Sequence, residues 1–118
     1  MKFDRHTVIL LKLRPDAPAM SEEEAADLQD RHLAHGAALQ DSGVILARGP
    51  LVDQDDVSLR GFSVWSCDAE TARAHAEQDP AVVAGRLAVS VMGWMTVAGN
   101  MDFRQVKAPR SMAEVAGE

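Results

Sequence analysis

Alternating apolar and polar positions divide the chain into short elements. Residues 6–13, HTVILLKL, are rich in leucine and β-branched side chains and stop at Arg14-Pro15, the pattern of a strand. Both faces of that strand are apolar, with Thr7, Ile9, Leu11 and Leu13 on one and Val8 and Leu10 on the other. Both are therefore expected to be covered. A proline-containing loop over 14–20 leads to Ser21-x-x-Glu24, a capping box in which the hydroxyl accepts the amide of residue 24 and the carboxylate reaches back. The spacing predicts a helix over 22–41, its first turn holding Glu22, Glu23 and Glu24 against the dipole and its end at Ser42-Gly43. Residues 44–48, VILAR, read as a second strand ended by Gly49-Pro50, and 58–66, SLRGFSVWS, as a third. Asp68 caps a second helix over 69–78 with a small inner stripe of Ala69, Ala72 and Ala76, and Pro80 ends it or starts a further turn. Residues 87–98, LAVSVMGWMTVA, form a long last strand, again apolar on both faces.

The order β-α-β-β-α-β is the ferredoxin-like, split βαβ arrangement of an α+β fold: an antiparallel sheet with both helices on one face. The other face is apolar enough to need a partner, and burial at about 25 cal/mol per Å² makes a sheet-on-sheet homodimer the natural solution. The expected organisation is one domain over 1–98 and a tail over 99–118, available to pack on the dimer. In that tail Ser111-x-x-Glu114 can cap one short helical turn.

One residue breaks the pattern. His32 falls in the middle of the first helix's inner stripe, with Ala25, Leu28, Gly36 and Leu39 within about one quadrant of it at ~100° per residue. A titratable ring on a core-facing stripe must be paired or must line a cavity. Asp79, just before Pro80, is the second polar group aimed at the same core. A carboxylate that orients an imidazole raises its basicity, which suits proton transfer near neutral pH. A core histidine that is simply hydrogen-bonded to Asp79 fits the same pattern, so both readings stand.

Composition narrows the classes. The 118-residue chain carries a net charge of −6, which argues against nucleic acid or an anionic membrane as main partner. It has one cysteine, Cys67, which excludes a disulfide framework and a multi-cysteine zinc site and fits a reducing, cytoplasmic setting. Cys67 lies beside Asp68, an unfavourable neighbour for a thiolate, and reads as a passive thiol. The N-terminal apolar run is short, is interrupted by Lys12 and lacks an A-x-A-like site, so it is not expected to be a signal peptide. His32 and His35 have a spacing compatible with metal ligation, but no H-E-x-x-H pattern accompanies them and no metal is expected. Neither G-x-G-x-x-G nor G-x-S-x-G occurs, so neither a dinucleotide cofactor nor an esterase-type serine is expected. The DQDD run at 53–56 lacks calcium-loop spacing and reads as a solvated loop. His75 lies away from the alanine stripe and is expected in solvent. Arg48 and Arg60 are of a type to bind a carboxylate or phenolate, or to remain solvated at a sheet edge. Phe62, Trp65 and Trp94 offer flat apolar walls, for an aromatic ligand or for the core.

In their order and spacing, a set of segments resembles the YciI-like (YCII-related) family of the dimeric α+β barrel superfamily. They are RHLAH at 31–35, the Gly43 turn into VILARGP at 44–50, the strand from Ser58 to Ser66, the Asp79-Pro80 step, AVVAG at 81–85 and the last strand through Trp94. The resemblance spans residues 6–97. It implies a homodimer, or a higher oligomer built from it, and a pocket across which His32 and Asp79 face each other as a catalytic dyad. It also implies dehydrochlorinase-type lyase chemistry. Three departures are visible. Phe62 follows Gly61 where the family often has serine, Gly93 precedes Trp94 where it usually has proline, and Arg48 fills a position that is often small.

The reading is an enzyme that performs cofactor-independent acid–base chemistry, of lyase or isomerase type, on a small cyclic or aromatic molecule. His32 and Asp79 would carry the catalysis, and His35, Arg48, Phe62 and Trp94 would contact the substrate. The alternatives are a non-catalytic small-molecule-binding or accessory protein on the same scaffold, or a cofactor-free monooxygenase.

Overall fold

Paired apolar strands dominate the architecture. In the computed structural model, which describes residues 1–117, β1 (Phe3–Leu13) lies at the centre of a four-stranded sheet of order β2-β3-β1-β4. Its partners are β3 (Leu59–Trp65) and β4 (Leu87–Val97), both antiparallel, and β2 (Ile45–Pro50) pairs antiparallel with β3 at the edge. The helices are α1 (Glu22–Asp41), α2 (Ala69–Ala76), the short α3 (Pro80–Val83) and α4 (Met112–Ala116). Among the described residues no helix is long and apolar enough to cross a membrane.

The period of two along each strand decides what each face holds. Ile9 pairs with Ser63 and Val91, and Leu11 with Gly61 and Val89. That face receives the helices: Ile9, Ile45 and Trp65 pack with Ala72 and Ala76 of α2, and Leu39 of α1 borders them. A second cluster joins Leu28 of α1, Ala81 of α3 and Leu87 of β4. The expected alanine stripe is thus two residues deep, because Ala69 at the first turn of α2 stays exposed. Ala25 likewise lies outside the buried stripe of α1, which turns inward only from Leu28. The opposite face carries Val8, Leu10, Phe62, Val64, Met92 and Trp94 with no helix over them.

Three elements differ from the pattern-based expectation by two residues or more at one end. β1 starts at Phe3 rather than residue 6, because β4 runs on to Val97 and supplies partners for Phe3, Asp4 and Arg5. β2 continues through Gly49-Pro50, which pair with Phe62 and Gly61. A proline is tolerated there because β2 is an edge strand. α2 stops at Ala76, and Asp79 with Pro80 opens the separate turn α3.

The ends of α1 are built locally. The Ser21 hydroxyl accepts the Glu24 amide at 3.1 Å and the Glu24 carboxylate accepts the Ser21 amide at 3.3 Å. Gly43, with φ +81°, makes the left-handed turn into β2 that other residues adopt only with strain. Ser21→Ala is expected to cost about 0.5–2 kcal/mol with the fold retained, read by chemical denaturation. An unchanged midpoint would show that the cap contributes nothing to α1. After β4 the chain runs past β1 and on to α1. Phe103 sets its ring edge-on to His6 at 5.3 Å, Gln105 donates to the Asp41 carbonyl, Arg110 pairs with the Asp41 carboxylate, and the Met112 amide donates to Asp30.

Candidate active site

His32 projects from the third turn of α1, one turn after Leu28 and one before Gly36, so the core-facing stripe carries it towards α3. Asp79 reaches the same point from the other side. It is the N-cap of α3, its Oδ1 accepting the Ala81 amide at 2.9 Å, while Pro80 at the first helical position needs no amide partner. The remaining oxygen, Oδ2, lies 2.6 Å from Nδ1 of His32. The expectation that these two side chains meet within hydrogen-bond reach therefore agrees with the geometry.

Each part of this contact has a chemical consequence. An ionised carboxylate accepts only, so Nδ1 must carry the proton it donates. In the neutral imidazole this donation leaves the lone pair on Nε2. Asp79 is the more buried partner, at 8% side-chain exposure against 16% for His32. A buried carboxylate is costly unless it is well partnered, and this one has a backbone amide and an imidazole. The arrangement can take up a proton at Nε2 and stabilise the imidazolium that results.

Arg48 comes to the same place from β2. It pairs with Ser63 in register, on the helix side of the sheet, and its Nη1 donates to the Leu33 carbonyl at a long 3.4 Å. Burial pushes its pKa down, and the Asp79 carboxylate opposes that shift. His35, one turn further along, sends Nε2 to the His75 carbonyl at 3.0 Å and so ties α1 to α2. His32 and His35 thus direct their rings to different partners, and among the described residues no group of three or more potential metal ligands converges.

Phe62 and Trp94 are placed differently from the other expected contacts. Phe62 pairs with Leu10, and Trp94 with His6, both on the face without helices. Within one chain they lie on the sheet face opposite the one that meets the helices, and so away from His32 and Asp79. The period of two is the reason. Phe62 lies three residues from Trp65, an odd spacing, and Trp65 is the one that faces the helices. One further reading changes. His75 is half-buried and stacks on Trp65, ring centroids 6.4 Å apart at 21°, rather than lying in solvent. The Ser63 hydroxyl accepts the Trp65 indole N–H at 2.7 Å and serves the core.

Two shallow cavities lie off the dyad. One of about 320 Å³ is bordered by Arg5, His6 and Cys67, the other of about 260 Å³ by Arg48, Leu51 and Phe62. Burial, reinforced by the Asp68 charge, pushes the Cys67 thiol up, in keeping with a passive role.

Comparison with known proteins adds a family and a fold. The family model described as the YCII-related domain matches residues 6–95. No curated protein matches the chain. Among solved structures, one that resembles it is 5-chloro-2-hydroxyhydroquinone dehydrochlorinase (TftG) from Burkholderia phenoliruptrix AC1100, in complex with 2,5-dihydroxybenzoquinone. The TM-score is 0.55 at 24% sequence identity, over 75% of this chain and 92% of the other. The likeness establishes a shared α+β fold, the class read from the element order.

Proposed function

Because the chain belongs to the YCII-related family, we propose that it is a small-molecule enzyme in which His32 and Asp79 perform acid–base chemistry without a cofactor. The observation that carries this reading is the 2.6 Å bond from Nδ1 to a carboxylate already locked by the Ala81 amide, which leaves Nε2 as the free basic atom. Nε2 would take a proton from carbon next to a carbonyl, or from a ring hydroxyl. The electron pair released would form a double bond and expel a leaving group such as chloride, or move to give an isomer. The imidazolium, held by Asp79, would then return its proton to product or water. The dehydrochlorinase of similar fold acts on a chlorinated hydroquinone, so cyclic or aromatic substrates of that kind are the first to test. His35 and Arg48 are the proposed contacts on the dyad side.

The test is a panel of 5-chloro-2-hydroxyhydroquinone, chlorinated phenols and cyclic keto acids. Binding is followed by ligand-detected NMR and chloride release by ion-selective electrode, for wild type and His32→Ala. Turnover by wild type that His32→Ala lacks supports the reading. Binding that is unaffected by His32→Ala, with no turnover, supports a non-catalytic binding protein instead.

The open sheet face suggests the assembly. On the sheet face without helices Val8 and Val64 are buried, while Leu10, Phe62 and Trp94 stay partly exposed and Met92 exposed, and we assign the exposed part of this apolar face to a homodimer contact. Phe62 and Trp94 would then belong to that contact, or reach a ligand only in the dimer. Sedimentation equilibrium at micromolar concentration is expected to give twice the 12.7 kDa chain mass, and a single 12.7 kDa species would reject the assignment.

A further inference from the structure

The guanidinium of Arg48 occupies a space that exists only because residue 36 is glycine. A Cβ built on Gly36 would lie 2.2 Å from Cζ of Arg48 and 2.5 Å from its Nε. Glycine inside a helix is less favourable than alanine by about 1 kcal/mol, so the site carries a local cost that only a nonlocal contact can offset. Gly36 is also one turn from His32, four residues along α1, so the charge lies beside the His32 side of the helix. Asp79 acts on the same cation from across the gap. Arg48 is nevertheless without a salt bridge among the described residues, and its one polar contact is the long 3.4 Å bond to the Leu33 carbonyl. Asp79 spends its two oxygens on Ala81 and His32. A half-buried guanidinium has five N–H donors in a planar fork, and most of these remain to be satisfied.

We propose that Arg48, seated against Gly36, makes the His32–Asp79 site selective for organic anions, binding an ionised carboxylate, phenolate or enolate oxygen while His32 addresses the neighbouring proton. This rests on the reading of His32 and Asp79 as the reactive pair and specifies the charge of its substrate. The anion would complete the coordination of the fork. Its presence beside Nε2 would also compensate the charge of the imidazolium formed during proton transfer.

The experiment compares salicylate with salicylamide, its neutral analogue of the same shape, by isothermal calorimetry and ligand-detected NMR at pH 7. Wild type is expected to bind salicylate about tenfold or more tightly than salicylamide, the worth of one charge-assisted hydrogen bond. Arg48→Met should erase that preference. Gly36→Ala keeps the charge but displaces it, and should also erase the preference while the thermal midpoint holds or rises. Equal affinity of the two probes for wild type, undetectable salicylate binding at millimolar concentration, or a preference that survives in both variants overturns the proposal. His32→Ala separates this proposal from the one it rests on. A salicylate preference retained in His32→Ala, with turnover also retained, would defeat the dyad and leave the anion site. Turnover abolished in His32→Ala with no anion preference in wild type would do the reverse.

Discussion

Asp79→Asn is expected to reduce turnover of an accepted substrate on the order of 10²–10⁴-fold, the usual contribution of a positioned acid–base group. The substitution is close to isosteric, and Oδ1 of the asparagine can still accept the Ala81 amide, so α3 keeps its cap. What changes is the group facing Nδ1 of His32, now 2.6 Å from a carboxylate oxygen. An amide NH₂ in that place donates, so the ring must accept at Nδ1 and carry its proton on Nε2. The substrate would then meet an N–H where wild type presents a lone pair. Nitrogen-15 chemical shifts of the imidazole should report the exchanged tautomer, and turnover should fall while the thermal midpoint changes little. His32→Ala should be comparably slow, and the double variant no slower than the worse single one, since the two groups act as a unit. A rate within threefold of wild type for Asp79→Asn would reduce the pair to a structural contact. Asp79→Ala makes a useful contrast, because it removes the α3 cap as well and should lower stability by about 0.5–2 kcal/mol.

Trp65→Ala is expected to be the most destabilising single change in the core, by about 3–5 kcal/mol. Trp65 is 3% exposed and packs with Ile9, Ile45, Ala72 and Ala76, so truncation leaves a cavity between the sheet and α2. It also removes the indole N–H bond to Ser63 and the stack on His75. His75 in turn accepts the His35 bond that ties α2 to α1, so the loss should spread to the helix that carries His32. For a domain of this size the midpoint should fall by roughly 10–20 °C, followed by far-ultraviolet circular dichroism. A loss under 1 kcal/mol would mean that the two helices are held to the sheet mainly elsewhere, around Leu28, Ala81 and Leu87.

The candidate site is partly legible in the sequence. His32 stood out because a helical stripe has a fixed period, and a titratable ring at its centre needs a partner. Asp79 stood out because it is a second charge, just before Pro80 at the end of the second helix, aimed at the same core. The place of Arg48 was not legible, since it depends on β2 pairing with β3 in a register that sets residue 48 opposite Ser63, on the helix side. Gly36 was read as one position on the stripe, and its meaning appears only when the guanidinium is seen lying against it.

By itself the sequence determined what depends on neighbours along the chain: the order of the main strands and helices, the Ser21–Glu24 box, the Gly43 turn, and the inner stripe of α1 from Leu28 on. These follow from periodicity and capping, which act over a few residues. Only the tertiary structure decided which strand face meets the helices, and so separated Trp65 in the core from Phe62 and Trp94 on the open side. It also extended β1 and β2 past their apolar segments, because strand length is set by the partner strand and not by the segment's own composition. The meeting of His32 on α1, Arg48 on β2 and Asp79 at α3 belongs to this second class. The three residues are distant in sequence, and only the packing of α1 and α3 on the sheet brings their side chains to one place.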